Sequence, residues 1–313
     1  MRRLLAHRKV LSMKIGFIGL GNMGLPMSKN LLASQYEVVG LDLNKESCER
    51  FQYAGGEIAQ SLVEMTACCG LIFTSLPSSE AAKQVYLARD GLLSSCPADV
   101  ILVDTSTIAP SLEVEIGTKA EEKGLSFLAA PVSGGVIGAE KRTLTFMVGG
   151  AEETLEQVRP HLLKLGSHVF HLGERYDSGT NAKLINNLLI GFYTAGVAEA
   201  LTLARESGLD LDFLFDVLSV SYGQSRIYER NYKSFMAKEN YEPGFTLALL
   251  NKDLRFAMDL AASHDLNLPI SQALVDLYAD AEASGLGAKD MAVIYERIGE
   301  QSITFKAEKG NVT

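Results

Sequence analysis

Lys14-Ile15-Gly16-Phe17-Ile18-Gly19-Leu20-Gly21-Asn22-Met23-Gly24 is a short apolar run that ends in spaced glycines and leads into a helix-compatible stretch. It reads as the first strand and turn of a dinucleotide-binding fold. Gly19 permits a sharp turn, Gly21 lets the backbone approach a pyrophosphate, and Gly24 lets helix and strand pack closely, with the diphosphate at the helix N-terminus. The candidate cofactor loop therefore runs through Gly19, Leu20, Gly21, Asn22, Met23 and Gly24. A glycine triplet alone is a weak signal, and its context strengthens it. Val38-Val39-Gly40-Leu41 reads as a second strand ending in Asp42, eighteen residues past Gly24, near the roughly twenty expected for the ribose-binding acid. A carboxylate there accepts from both adenosine ribose hydroxyls and repels a 2′-phosphate, so NAD is expected rather than NADP. The alternative is a glycine turn beside an ordinary surface aspartate.

Outward from this stretch, apolar runs alternate with helical patterns as far as about residue 172. Strands are expected at Lys14–Ile18, Glu37–Leu41, Leu71–Ser75, Val100–Val103, Ser126–Leu128, Thr143–Val148 and Val169–His171. Helices between them include Gly24–Ala33, Glu46–Tyr53, Ser79–Leu87 and Pro110–Glu122. That alternation predicts an α/β fold with a doubly wound, mostly parallel sheet of the Rossmann type. After Gly173-Glu174-Arg175-Tyr176-Asp177-Ser178-Gly179 the periodicity is helical throughout: Thr180–Ser207, Leu211–Ser219, Gln224–Ala237, Leu247–His264, Pro269–Ala283 and Lys289–Gly299, punctuated by Gly208, Gly244 and Gly285. The expected organisation is a cofactor domain over 1–175 and an all-helical C-terminal domain over 176–313, with a long first helix between them whose residues face the cleft.

Composition sets the outer limits. A chain of 313 residues, 47% hydrophobic and 21% charged, is long enough for two soluble globular domains. A formal net charge of −9 argues against a nucleic-acid surface or an anionic membrane as partner. Cys48, Cys68, Cys69 and Cys96 contain no C-x-x-C pair, which excludes a disulfide framework or zinc site and points to a reducing, cytoplasmic compartment. No clustered histidines or carboxylates offer a metal site. Residues 1–12 carry Arg2, Arg3, Arg8 and Lys9 without the apolar core of a secretory signal, and Met13 before the first strand suggests a start-site extension. Leu188–Ala204 is apolar but interrupted by Thr194, Glu199 and Thr202, so it reads as a buried helix. Lys306–Thr313 reads as a frayed tail.

Ligands of an open parallel sheet bind outside the carboxyl ends of its strands. Leu76 and Pro77, in Thr74-Ser75-Leu76-Pro77, stand at such an end and suit the adenosine half of the cofactor, or else simply end a strand. Asp104-Thr105-Ser106-Thr107-Ile108-Ala109-Pro110 offers hydroxyls to the nicotinamide ribose or amide, or only caps the following helix. In Pro131-Val132-Ser133-Gly134-Gly135 the Ser133 hydroxyl and the N–H groups of Gly134 and Gly135 form a concavity for a carboxylate, or a bare turn. Lys183 and Asn187 are four residues apart on the long helix and share a face. A lysine amid apolar sequence can exchange protons near neutrality, and Asn187 can hydrogen-bond the same substrate; the alternative is a surface lysine at a domain junction. Lys252, in Lys252-Asp253, is a second cation, for the site or for solvent.

With these motifs assembled, the chain resembles the β-hydroxyacid dehydrogenase family, whose members include 3-hydroxyisobutyrate, tartronate semialdehyde and L-threonate enzymes. The resemblance covers residue 14 to about 300 and rests on Gly19 to Met27, Asp104 to Pro110, Ala130 to Gly135, Gly179 through Lys183 to Asn187, and Lys252-Asp253-Leu254. It implies an NAD-dependent oxidation of a small β-hydroxyacid's alcohol with Lys183 as acid/base. Ser133, Gly134, Gly135 and Asn187 would hold substrate, and Thr107 and Lys252 would contact the nicotinamide end. It also implies dimers or tetramers built through the helical domains. Ala129 stands where the family often has Asp, and Arg142 and Asp177 where Gly is common. Arg226 takes a position often filled by a large apolar residue; it either grips a second anionic end of the substrate or is a solvated helix arginine.

Two rival functions follow from the same residues. One is reduction of a semialdehyde, including tartronate semialdehyde, with NADPH or NADH. The other is a non-catalytic dinucleotide-sensing protein, against which stand the retained Lys183 and the acidic balance.

Overall fold

The computed structural model describes residues 14–310, so the expected extension over 1–12, Met13 and the last residues of the expected tail lie outside the described residues. By its contacts the chain divides into two units between Lys183 and Leu184. The expected boundary at 175/176 precedes that division, and the helix Ser178–Glu206 runs through it.

In the first unit β1 (Lys14–Ile18), β2 (Val38–Leu41), β3 (Glu57–Ile58), β4 (Cys69–Thr74), β5 (Ile101–Asp104), β6 (Ser126–Ala129), β7 (Val132–Ser133), β8 (Leu144–Gly149) and β9 (Gly166–Gly173) form one sheet. Its order is β3-β2-β1-β4-β5-β6-β8-β7, with β9 also on β8. Every pairing from β3 across to β6 is parallel. β9 pairs along the whole of β8 and fills one edge of it. The other edge is divided between β6, at Ala129↔Gly149, and β7, at Val132↔Phe146 and Ser133↔Thr145, both antiparallel.

The connections run outward in one direction from β1 through β2 to β3, and in the other from β4 through β5 to β6. The β1/β4 gap is thus the topological switch point, where a ligand is expected at the strands' carboxyl ends. Ile18 pairs with both Leu41 and Thr74, which sets the Gly19 turn, Asp42 and Ser75-Leu76 side by side.

The central strands are buried on both faces, as parallel strands covered by helices must be. Ile15, Phe17, Leu71, Phe73 and Val103 enter one core with Leu31, Leu155 and Val158. Their sequence neighbours Ile18, Ile72 and Leu102 enter the opposite core with Ala82, Leu112 and Ile116. Helices start where side chains satisfy the first backbone N–H groups: Asn44, Ser61 and Ser78 accept from the residue three further on, and Pro110 opens the helix Pro110–Glu122.

Several expectations need correction. The last strand runs Gly166–Gly173 instead of Val169–His171; it alternates exposed and part-buried residues, and Ser167 and His168 broke the apolar signal that located it. β3 and β7 are two-residue strands with no expected counterpart, and the helices Leu62–Cys68, Leu92–Ser95, Gly135–Lys141 and Glu152–Leu162 add to those named from the sequence. Arg142 ends the helix Gly135–Lys141 in the left-handed region (φ 59°). Its Nε donates to Asn30 Oδ1 (3.1 Å) while Asn30 Nδ2 donates to the Ala139 carbonyl (2.7 Å), so this departure from the family pattern locks two helices together.

The second unit is helical, with one isolated bridge, Thr246↔Asp290, among its described residues. The expected helix Gln224–Ala237 is shorter, Arg226–Ser234, followed by a 3-10 turn at Met236–Lys238. The last helix extends over Ile294–Gly310, through part of the expected tail. Ala195, Ala198 and Leu201 of the long helix pack with Phe215, Tyr228, Leu254 and Leu274. This helix is long and apolar enough to cross a membrane by composition alone, yet it is a core helix, with buried Thr194 Oγ1 accepting from Asn231 Nδ2 (3.0 Å).

Candidate active site

The glycine loop shows a distinct reason for each glycine. Gly19 has φ +89°, and a Cβ there would collide with the Ser75 carbonyl oxygen. A Cβ on Gly24 would collide with the Gly19 carbonyl oxygen, so helix and loop meet backbone to backbone. Gly21 is the opposite case: nothing stands within 4 Å of where its Cβ would be. That space, beside a helix Gly24–Ala33 with no side-chain cap and no acid in its first turn, is a cradle for an anionic group. Asn22 is exposed and Met23 part-buried along its rim. Asp42 closes the arrangement. Its Oδ2 accepts from the Leu20 N–H (2.5 Å) and its Oδ1 from the Asn44 N–H (2.7 Å), so the carboxylate is held in one orientation. The cradle and the fixed acid fit a nicotinamide dinucleotide.

The adjoining strand ends are joined by buried hydroxyls. Asp104 Oδ1 accepts from Thr74 Oγ1 (2.7 Å), Ser106 Oγ (2.5 Å) and the Ser106 N–H (3.0 Å). Thr74 Oγ1 also meets Tyr86 OH at 2.8 Å, and Ser106 Oγ accepts from the Leu76 N–H at 2.8 Å. Asp104 therefore ties the Leu76-Pro77 turn to the loop that carries Thr107. Leu76 and Thr107 are part-buried and Pro77 is exposed.

Ser133 closes β7, and Gly134 and Gly135, at φ +133° and +62°, turn the chain into the helix Gly135–Lys141. Lys183, in the helix Ser178–Glu206, is 8% exposed. Thr180, one turn earlier on that helix, donates from Oγ1 to Glu113 Oε1 (3.4 Å). Asp177, just ahead of the helix, is paired with Arg175 (2.7 Å), whose guanidinium holds that carboxyl below its usual range.

In the helical unit Asn187 is fully buried, and its Nδ2 donates to Asp253 Oδ2 (2.6 Å). Asp253 Oδ1 lies 3.1 Å from Lys252 Nζ. One carboxylate thus orients the Asn187 amide and holds Lys252. Nothing in the sequence marks Asp253, because an acid beside a lysine is too common to be a signal. Glu113 and Thr180 were missed for a similar reason, since a glutamate in a helix's first turn reads as an ordinary dipole partner. Arg226 is exposed at the first position of its helix, where its charge opposes the helix dipole.

A doubly wound sheet with its glycine loop at the switch point, followed by a helical unit, is the architecture of a dinucleotide-binding protein. Residues 14–173 match the NAD binding domain of 6-phosphogluconate dehydrogenase, and residues 177–298 match a family described as NAD-binding of NADP-dependent 3-hydroxyisobutyrate dehydrogenase. The 2-(hydroxymethyl)glutarate dehydrogenase of Eubacterium barkeri is 35% identical over 90% of this chain and 94% of its own. The mitochondrial 3-hydroxyisobutyrate dehydrogenase of Mus musculus is 36% identical over 92% of this chain and 87% of its own. The structure of Mycobacterium tuberculosis 3-hydroxyisobutyrate dehydrogenase with L-serine is 34% identical, with a TM-score of 0.83 over 91% of this chain and 99% of that one. The chain belongs to the β-hydroxyacid dehydrogenase family, as its motifs predicted. It is an oxidoreductase acting on CH–OH, with an NAD(P)-binding domain.

Proposed function

We propose that this chain oxidises the alcohol of a small β-hydroxyacid reversibly with NAD, and that Lys183 moves the hydroxyl proton. The observation that carries the reading is a lysine only 8% exposed on the helix that also bears buried Asn187, four residues on and so on the same face. A bound nicotinamide would supply the hydride acceptor for the carbinol carbon. The Gly19–Gly24 loop, Asp42, Leu76 and Pro77 would hold the dinucleotide, and Thr107 and Lys252 its nicotinamide end. Ser133, Gly134, Gly135 and Asn187 hold the substrate carboxylate. Lys183, as the neutral amine, takes the hydroxyl proton; in reverse its ammonium returns the proton and stabilises charge developing on that oxygen.

Preference for NAD rests on Asp42, an oriented anion that a 2′-phosphate would have to approach. A cytoplasmic setting suits the four free cysteines. A homo-oligomer suits the stripe of Ile185, Leu189 and Tyr193 on the long helix, at 57%, 47% and 46% exposure. A dicarboxylic hydroxyacid is a second reading of the substrate. It is favoured by Arg226, exposed against its own helix dipole, and by the 2-(hydroxymethyl)glutarate relative.

The test follows NADH absorbance with 3-hydroxyisobutyrate, D-glycerate, L-threonate, L-serine, 2-(hydroxymethyl)glutarate and 4-hydroxybutyrate, with NAD and again with NADP. The reading predicts turnover of a 3-hydroxyacid with NAD favoured. NAD binding without oxidation of any of them would support a sensing protein instead, and dominant 4-hydroxybutyrate turnover a semialdehyde reductase. If Arg226 grips a second carboxylate, Arg226→Leu lowers kcat/KM for the dicarboxylate relative to 3-hydroxyisobutyrate. An unchanged ratio removes that reading.

A further inference from the structure

Glu113 lies in the first turn of the helix Pro110–Glu122 and is fully buried, at 0% exposure. Oε1 accepts a single long bond from Thr180 Oγ1 (3.4 Å), and Oε2 has no hydrogen-bond partner. The groups that face it are Asp104 from the end of β5, Asp177 from the turn before the long helix, Thr180 from that helix, and Tyr86 from the helix Ser79–Leu87. Asp104 and Asp177 are acids, and Arg175, the cation beside Asp177, is itself 77% exposed and engaged by that carboxylate. Among the described residues no lysine or arginine forms an ion pair with Glu113. An ionised carboxylate here would be desolvated, one oxygen unsatisfied, next to like charges and without a counter-ion, which is the costliest state for such a group. Burial first, and the Asp104 and Asp177 charges after it, push its titration well above the usual carboxylate range.

We propose that Glu113 works as an uncharged carboxylic acid, a positioning residue that ties the helix following the Asp104–Pro110 loop to the first turn of the long helix, one turn before Lys183. Thr180 and Lys183, three residues apart, are neighbours on the helix surface. With Glu113 neutral, the contact between the Thr107-bearing segment and the lysine-bearing helix has no like-charge repulsion across it. Once it ionises, the carboxylate is repelled by Asp104 and Asp177. The kinetic consequence rests on the reading of Lys183 given above; the effect on stability does not.

The sign of the pH effect follows from linkage. In the unfolded chain Glu113 ionises near the ordinary value of about 4.3, while the native protein keeps the proton. The native state therefore binds more protons above that pH. The stability this group contributes is full below its ordinary pKa and falls as pH rises, until the native group itself ionises. Glu113→Gln has the shape of the neutral acid and cannot ionise.

Urea unfolding of the wild type and of Glu113→Gln, followed by far-ultraviolet circular dichroism from pH 5.5 to 8.5, tests this directly, because every other titrating group cancels in the comparison. The folding constant of Glu113→Gln relative to wild type is expected to rise by up to about tenfold per pH unit. The wild type is also expected to lose hydroxyacid turnover at alkaline pH more steeply than the variant. A ratio that stays flat, or falls with pH as it would for a natively ionised Glu113, overturns the proposal. If Glu113→Gln does not fold, the infrared spectrum of wild type carrying carboxyl-labelled glutamate decides: a protonated buried carboxyl band at pH 7 supports the proposal and its absence ends it. Absence of turnover from both proteins at every pH would count against Lys183 and leave the unfolding ratio to judge Glu113.

Discussion

Replacing Asp253 with alanine removes two things at once: the acceptor that orients Asn187 and the counter-charge of Lys252. The two effects differ in size. Asn187 Nδ2 and Asp253 Oδ2 are 2.6 Å apart between residues 0% and 2% exposed, and a hydrogen bond to a charged acceptor contributes about 1.5–3 kcal/mol. Lys252 has a side chain 25% exposed, so solvent screens its ion pair to about 1 kcal/mol or less. The loss is therefore governed by Asn187. If the amide must be held in place to bind the substrate carboxylate in the transition state, about 2 kcal/mol is lost there, roughly a thirtyfold fall in kcat/KM for the hydroxyacid. Asp253→Asn keeps a carbonyl oxygen for the Asn187 N–H and gives up only the charge, a loss of about 1 kcal/mol or some fivefold. Steady-state kinetics varying hydroxyacid and NAD separately, with thermal melts of each variant, measure both. The reasoning is refuted if Asp253→Ala keeps kcat/KM within twofold of wild type, or if Asp253→Asn is as damaging as Asp253→Ala.

Asp290, fully buried, accepts from Arg230 Nη1 and Nη2 at 2.9 and 2.6 Å and from the N–H groups of Gly244, Phe245 and Ala292. Asp290→Ala strands all of these donors and is expected to destabilise the helical unit by about 3–5 kcal/mol, with hydrogen-exchange protection lost at those three amides. Gly21→Ala and Gly24→Ala should separate binding from folding. The first adds a methyl into open space and is expected to leave the melting temperature unchanged while weakening NAD binding in calorimetry; the second collides with the Gly19 backbone and costs about 1–3 kcal/mol of stability as well. His161 is fully buried against Tyr36, with ring centroids 5.1 Å apart, and burial pushes its imidazole below its ordinary pKa. The unfolded chain then takes up a proton that the native state refuses, so this contribution is complete above about pH 6.5 and is lost as pH falls toward the native value. His161→Leu is expected to gain stability relative to wild type by up to about tenfold in the folding constant per pH unit below 6.5, and an unchanged ratio between pH 5 and 8 would contradict it.

The strands buried on both faces were legible in the sequence because a covered parallel strand is apolar along its whole length: β1 and β4 show it, and the expected ranges fell within a residue or two of those found. β9 was half seen, because a strand at the sheet's margin exposes alternate side chains and Ser167 and His168 need no core. The glycine loop was legible because Gly19 and Gly24 each answer a backbone constraint that no larger residue meets, while Gly21 leaves open space beside them. The position of Asp42 at the end of β2 was legible from its spacing to that loop, although its grip on the Leu20 N–H was not. Glu113, Thr180 and Asp253 were hidden, since their significance lies in contacts made across 67 and 66 residues of chain, and no local pattern encodes a partner so far away. Arg142 is unusual in the sequence, and its left-handed backbone and its bond to Asn30 belong to the fold alone.

Lys183 is the central residue of the proposed reaction, and single-turnover oxidation of the preferred hydroxyacid by Lys183→Ala at saturating NAD tests its role most directly. Loss of a general base predicts a rate about 10²–10⁴-fold below wild type, with NAD affinity and melting temperature close to those of the wild type. A variant that turns over at the wild-type rate would contradict the assignment.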